Sequence, residues 1–204
     1  MIERASIVTI VLLSLLLPNA PAWGSQADDQ AVKQAITAYE NGEYERAKSI
    51  FIPLAETGHP KAITFLGLMY DLGKGFPADT STACDYYERS ANLGNASGMY
   101  NLFLCFENGV GRSLNLDKAH EWLVTAAENG MTRAMILLAT EKNQTNTDRR
   151  FWLNKAARSG STYAKAILWI DGHDEDAPDL SFLDSLCVRV KILIFHQGVD
   201  ACDD

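Results

Sequence analysis

The sequence lacks an excess of basic residues: 18 Lys and Arg stand against 26 Asp and Glu, which gives a formal net charge of −8 at pH 7. The imbalance is concentrated at one end, because residues 171–204 contain nine acidic residues and two basic ones. A protein that binds nucleic acid through the phosphate backbone needs a basic surface. The composition therefore excludes nucleic acid as the general partner of this chain.

The sequence also lacks the short motifs of common catalytic and metal sites. It contains no Ser-x-x-Lys, Gly-x-Ser-x-Gly or His-Glu-x-x-His motif, and its four cysteines include no Cys-x-x-Cys pair. Its four histidines have no ligand spacing relative to those cysteines. The acidic stretch 171–179 fails as a calcium loop, because position 12 counted from Asp171 is Phe182, where a bidentate glutamate is needed. We therefore expect no enzymatic activity, no metal and no cofactor.

Beyond the N-terminus the sequence has no long apolar run, so no later segment is predicted to cross a membrane. The run from Ile7 to Leu17 is itself too short to span ~30 Å of hydrocarbon. Ala20 and Ala22 follow it and supply the small residues that signal peptidase requires. We predict that residues 1–22 are a signal peptide cut after Ala22. The mature chain is then periplasmic or secreted, without stable membrane insertion.

A period of 36 residues is the strongest positive signal in the sequence. Three sets of identical residues recur at this spacing: Gly58, Gly94 and Gly130; Ala47, Ala83 and Ala119; Ala55, Ala91 and Ala127. A further block, residues 131–160, is six residues shorter and keeps the same ending. Self-similarity at such a period is the signature of stacked supersecondary units.

Each unit predicts two helices joined by a loop. In residues 59–94, small and aromatic residues recur at helical spacing. Glycines lie in the loop between the two helices, and Gly94 is predicted to end the second helix. One such unit cannot bury both of its apolar faces, so neighbouring units must stack. We predict an all-α fold, a right-handed α-solenoid over residues 23–170. Its expected parts are units at about 28–58, 59–94, 95–130 and 131–160 and a half unit at 161–170.

Two pairs of segments carry a family resemblance. Residues 67–75 (GLMYDLGKG) with 85–94 (DYYERSANLG), and residues 106–111 with 117–130, closely resemble the Sel1-like repeat. The third unit departs from the pattern, because it lacks the Gly-x-Gly loop. The resemblance implies a non-catalytic protein-interaction module, an adaptor in signalling, envelope assembly or host interaction. Related alternatives are an immunity-type inhibitor of an exported toxin and, less favoured, an enzyme that binds or hydrolyses β-lactams.

The four cysteines are disulfide candidates in an exported chain. Cys84 and Cys105 lie at equal distances from the turn at 94–95, which places them at the same height on two antiparallel helices. A Cys84–Cys105 bridge is therefore favoured, which leaves Cys187 and Cys202 as the second pair. Two small buried thiols are the alternative for Cys84 and Cys105. The resemblance agrees with a bridge, because exported Sel1-like proteins often join helices of the stack by disulfides.

The C-terminal part is predicted to close the stack. Residues 171–179 are predicted to form a solvated acidic linker, and residues 180–204 a capping helix with an acidic tail. Ser181 and Asp184 form a capping box at the start of this helix. The alternation at 188–192 also fits a strand, but a lone strand would have no partner in a helical stack. We expect a monomer whose last repeat is covered by this helix, with a dimer contact through it as the alternative.

The predicted binding surface is the concave face formed by the first helices of successive units. The residues expected to contact a partner are Lys61, Phe65, Leu68, Asn101, Leu104, Arg133 and Leu137. Together they form an apolar strip with basic edges, which suits an acidic-hydrophobic peptide or a protein partner. The alternative for any one of them is that helix packing or the C-terminal segment covers it.

Overall fold

The structure, a computed structural model, describes residues 26–141 and 145–172. Within these ranges the chain forms nine α-helices and no strand. The helices are α1 Gln26–Glu40, α2 Tyr44–Glu56, α3 Pro60–Asp71, α4 Thr80–Asn92, α5 Ala96–Asn108, α6 Leu116–Glu128, α7 Thr132–Thr140, α8 Asn146–Arg158 and α9 Thr162–Gly172. Each helix packs against the next one in sequence, and α3 also contacts α5. This is an all-α solenoid of helical repeats, so the predicted fold class is confirmed.

The helix starts follow the 36-residue period because the residues that cap them recur. The first helices α3 and α5 begin after His59 and Asn95, and the second helices α4 and α6 begin after Asp79 and Asn115. Each of these four side chains accepts a hydrogen bond from the backbone N–H three residues later. Such caps satisfy amides that have no partner inside the helix. The period therefore sets where these four helices start.

The described residues include the opening unit of the solenoid, the shortened third unit and the last helix. The opening unit contains α1 and α2, and the shortened connection of the third unit lies between Thr140 and Asn146. Helix α9 ends at Gly172, so the first two residues of the predicted linker 171–179 are helical. The predicted signal peptide, the capping helix at 180–204 and the second cysteine pair lie outside the described residues.

The repeated alanines lie in the core. The two sets of alanines that recur every 36 residues are at most 2% exposed: Ala47, Ala83 and Ala119, and Ala55, Ala91 and Ala127. Aromatic rings fill the remaining space, since the ring of Tyr70 stacks on those of Phe76 and Tyr86 with centroids 4.1 and 5.5 Å apart. A small side chain at a helix contact allows the backbones to approach closely, which leaves large rings to fill the space between pairs.

The loop of one unit docks on the second helix of the preceding unit. The Lys48 ammonium on α2 donates to the carbonyl oxygen of Gly75 at 2.9 Å. One repeat later, the Arg112 guanidinium donates to the carboxylates of Asp85 and Glu88 on α4. These contacts join residues 24 to 27 positions apart in the sequence. They tie successive units together.

A disulfide joins α4 to α5. The Sγ atoms of Cys84 and Cys105 are 2.02 Å apart, and their Cα atoms are 6.2 Å apart. This is the pair that equal distance from the turn favoured, and the described residues include no free cysteine. The bridge links the second helix of one unit to the first helix of the next unit.

Replacement of both cysteines, Cys84→Ala with Cys105→Ala, should lower the free energy of unfolding by ~3 kcal/mol, because the bridge closes a loop of 21 residues. Urea unfolding followed by circular dichroism measures the difference. A reducing agent should bring the wild-type chain close to the stability of the double variant. Equal unfolding midpoints for the oxidised wild type and the variant would contradict the bridge.

Gly111→Ala should destabilise the chain by at least about 2 kcal/mol more than Gly130→Ala. Both glycines have a positive φ, +69° and +94°, so both variants bear the cost of a left-handed backbone. A Cβ at Gly111 would also lie 2.3 Å from the carbonyl oxygen of Thr80, whereas nothing lies within 4 Å of a Cβ at Gly130. Urea midpoints of the two variants give the comparison. Similar losses would show that loop docking on α4 is not tight.

Candidate functional site

The residues predicted to bind a partner lie on the first helices α3, α5 and α7. We define the first-helix face as these seven side chains: Lys61, Phe65, Leu68, Asn101, Leu104, Arg133 and Leu137. The two cations are exposed, and the other five residues are half-buried. Helices α3 and α5, which carry the first five of these residues, contact each other. Helix α7, which carries Arg133 and Leu137, packs against α6, and α6 packs against α5.

Three of the four apolar residues of the first-helix face also contribute to the core. The ring of Phe65 stacks on Phe51 with centroids 5.1 Å apart and meets Tyr39 edge-on at 5.9 Å. Leu104 and Leu137 pack against the buried cluster of the following units. Helix packing therefore covers part of the predicted strip, most clearly at Phe65. Leu68 packs against neither buried cluster.

A pocket of about 250 Å³ lies where α3, α4 and α5 meet. It is lined by Asp71, Thr80, Cys84, Tyr87, Asn101, Leu104, Cys105, Asn108 and Val110. Two residues of the first-helix face, Asn101 and Leu104, are among them. Sequence reasoning did not find the contribution of Asp71 and Tyr87. Asp71 is the last residue of α3, and Tyr87 lies on a second helix.

Asp71 and Tyr87 form the polar side of this pocket. The Tyr87 hydroxyl lies 3.5 Å from Oδ2 of Asp71, and the tyrosine as a residue is 3% exposed. Burial, followed by the charge of Asp71, raises the pKa of Tyr87 far above its ordinary value. Tyr87 is therefore a neutral hydrogen-bond donor at physiological pH. Asp71 is the one carboxylate among the residues that line the pocket.

A second acidic group lies at the end of α5. Burial, followed by the charge of Glu141, raises the pKa of the Glu107 carboxyl above its ordinary value. Oε1 of Glu141 is itself 3.4 Å from Nδ1 of His120. Glu107 at the end of α5 and Glu141 just after α7 thus repel each other.

The described ranges show neither a metal site nor a membrane-spanning helix. Within them, no group of three His, Cys, Asp or Glu side chains is arranged to hold a metal ion. No helix among the described residues is long and apolar enough to cross a bilayer. The buried His59 has a structural role, because its Nδ1 accepts from the amide of Ala62 at the start of α3.

Stacked helix pairs with docked loops place this chain among the α-solenoid repeat proteins. Residues 60–95, 96–131 and 150–161 match the sequence model of the Sel1 repeat. The chain contains Sel1 repeats over these residues, which supports the Sel1-like repeat family that the resemblance implied. Proteins of this family are typically protein-interaction scaffolds.

Solved structures agree with this assignment. A Sel1 repeat protein from Oxalobacter formigenes is 27% identical, with a TM-score of 0.60 over 70% of this chain and 60% of that one. A protective antigen present in uropathogenic Escherichia coli strains, displaying an SLR fold, is 25% identical, with a TM-score of 0.58 over 71% and 34%. The alignments thus cover less than two thirds of each of these relatives. No curated protein matches the sequence.

Glu107→Gln should raise the melting temperature at pH 7, because the folded state holds the Glu107 carboxylate less favourably than the unfolded state does. An acid whose folded pKa is raised destabilises the fold when it is ionised in both states. The destabilisation disappears as the pH falls through the folded and then the unfolded pKa. The advantage of the variant should therefore shrink between pH 7 and about pH 3.5.

Thermal unfolding by circular dichroism at both pH values measures this difference. Glu121→Gln on the exposed side of α6 removes the same charge and is the matched control. The control should not share the pH-dependent advantage. An equal advantage for the Glu107 variant at both pH values would contradict the explanation.

Proposed function

We propose that this chain is an exported, non-catalytic interaction module that binds a protein or peptide along the first-helix face. The observation that carries the proposal is the repetition of one surface pattern over successive first helices. Leu68 and Leu104 occupy equivalent, half-buried positions on α3 and α5, and the exposed cations Lys61 and Arg133 occupy equivalent positions on α3 and α7. A repeated surface of this kind suits a partner that extends along the stack.

The chemistry of the face supports a protein partner. Half-buried leucines offer apolar area that a partner can remove from water, at ~25 cal/mol per Å². Flanking cations contribute mainly to the rate of association and to specificity for an acidic or mixed partner. This combination of an apolar centre and a charged rim is usual at protein interfaces. Because Phe65 is engaged by core rings, Leu68 is the better central contact.

Export is part of the proposal. We assign residues 1–22 as a signal peptide cut after Ala22, residues 23–170 as the interaction domain and residues 180–204 as its cap. The Cys84–Cys105 bridge supports an extracellular or periplasmic location, because structural disulfides persist in oxidising compartments. The role of an adaptor accounts for the fold and face without a catalytic step.

The pKa shifts of the described titratable groups are compatible with a non-catalytic role. The pKa values of Tyr39, Tyr86 and Tyr163 are raised chiefly by burial, which keeps phenols neutral. The pKa of Asp79 is lowered chiefly by the hydrogen bond from the Thr82 side chain in a helix cap. These shifts follow from packing and capping, which also occur in proteins without catalysis.

The test is a crosslinked pull-down from the envelope fraction of the exporting cell. Leu68→Glu should lose the partner that the wild-type chain captures, because it places a charge at the centre of the apolar strip. Leu116→Glu makes the same substitution on the second helix α6, where Leu116 is 64% exposed, and should retain the partner. Circular dichroism first establishes that both variants keep their helices.

The outcomes distinguish binding at the first-helix face from binding elsewhere, and an adaptor from an inhibitor. A partner captured by wild type and by Leu116→Glu but lost by Leu68→Glu supports binding at the first-helix face. Loss with Leu116→Glu alone would place the contact on the second helices and contradict the proposal. A partner that wild type and both variants capture equally would also contradict the proposal. An exported toxin as the captured protein would establish an inhibitor rather than an adaptor.

A further inference from the structure

The pocket between α3, α4 and α5 combines apolar walls with hydrogen-bond acceptors. The apolar walls are the side chains of Leu104 and Val110 and the Cys84–Cys105 disulfide. At about 250 Å³ the pocket is smaller than the ~300–1,000 Å³ of sites that hold a whole small-molecule ligand. Its size therefore suits a single side chain of a partner.

Among the described residues the Asp71 carboxylate forms no ion pair, and its place in α3 does not favour the helix. No lysine, arginine or histidine among the described residues lies within ion-pair distance of it, and the residue is exposed. Asp71 is also the last residue of α3, where the helix dipole disfavours a negative charge. The one described side chain that reaches it is the neutral Tyr87, at 3.5 Å. The carboxylate thus keeps the capacity to bind a cation.

Two neutral acceptors accompany the carboxylate. The Asn108 side-chain amide donates to the Leu104 carbonyl at 3.0 Å, which leaves its own oxygen to accept. The Val110 carbonyl oxygen lies 3.3 Å from Sγ of Cys84, and a disulfide sulfur has no proton to donate. No N–H or O–H of the described residues donates to that carbonyl. These residues therefore supply acceptors for a ligand that carries several donors, and the Thr80 hydroxyl and Asn101 amide of the same lining can accept as well as donate.

We propose that this pocket is a subsite for a lysine side chain of the partner. An ammonium group has three donors and no acceptor, which matches a carboxylate and neutral oxygens. The four-carbon stem of lysine can lie against Leu104 and the disulfide while the ammonium reaches Asp71. This inference rests on the proposed function, because it names one residue type that the partner presents to the first-helix face. It adds a local preference for a cation at the end of α3, whereas Lys61 lies in the first turn of that helix and Arg133 lies on α7.

The test uses Nα-acetyl-lysine methylamide as the probe, titrated at millimolar concentration against the ¹⁵N-labelled chain. Backbone chemical-shift changes should concentrate at pocket residues, with Cys105, Asn108 and Val110 among them. Nα-acetyl-norleucine methylamide, which keeps the apolar stem and lacks the ammonium, should bind at least fivefold more weakly. The arginine analogue shows whether the subsite selects an ammonium or accepts any cation.

Asp71→Asn should weaken the lysine probe at least fivefold, and Asp71→Glu should restore part of the affinity. Glu121→Gln, which removes a charge from the exposed side of α6, should leave the affinity unchanged. The spectrum of each variant without probe establishes that it is folded. Equal binding of the norleucine probe, unchanged affinity in Asp71→Asn, or shift changes outside the pocket would overturn the subsite.

The two proposals can fail separately, since the probe titration needs no natural partner. A partner that requires Leu68 but binds Asp71→Asn normally would uphold the first-helix face and overturn the lysine subsite. Lysine-dependent shifts in the pocket support the subsite even where the pull-down contradicts binding at the first-helix face. Absence of any lysine-specific shift at millimolar concentration would overturn the subsite.

Discussion

The close approach of each Gly-x-Gly loop to the preceding second helix is the contact on which the rest of the structure depends. At Gly111 there is no room for a side chain, because a Cβ would lie 2.3 Å from the Thr80 carbonyl oxygen and 2.9 Å from Sγ of Cys84. The adjacent Arg112 then reaches the carboxylates of Asp85 and Glu88 on the same helix. An isolated helix pair would leave these groups in water, so the docked loop makes successive units interdependent.

The same contact builds the pocket. Val110 comes from the docked loop, Cys84 from the second helix beneath it, and Cys105 from the first helix that the disulfide holds beside them. A disulfide stabilises chiefly by restricting the unfolded chain, and here it also fixes the spacing of two pocket walls. Stability and the candidate subsite therefore depend on one set of neighbouring residues. Changes at Gly111 should affect both.

The charges on the first helices run against helix stability. Asp71 and Glu107 lie in the last turns of α3 and α5, where the helix dipole favours cations, and Lys61 and Arg133 lie in first turns, where it favours anions. Each unfavourable placement costs a few tenths of a kcal/mol to about 1 kcal/mol at an exposed site. Protein surfaces tolerate such costs where a charge serves recognition, which agrees with a binding role for this face.

The 36-residue period was enough to predict two helices in each unit, and equal distance from the turn at 94–95 was enough to favour the Cys84–Cys105 pair, because both depend on segments close in sequence. The pocket was not predictable, since it needs the end of α3, the buried face of α4 and the outer face of α5 in one place. Nor could the sequence tell which residue of the first-helix face would be covered by helix packing: it is Phe65, which Phe51 and Tyr39 approach from two other helices. Local periodicity specifies which face of a helix is apolar, whereas the distances between helices decide how much of that face stays accessible.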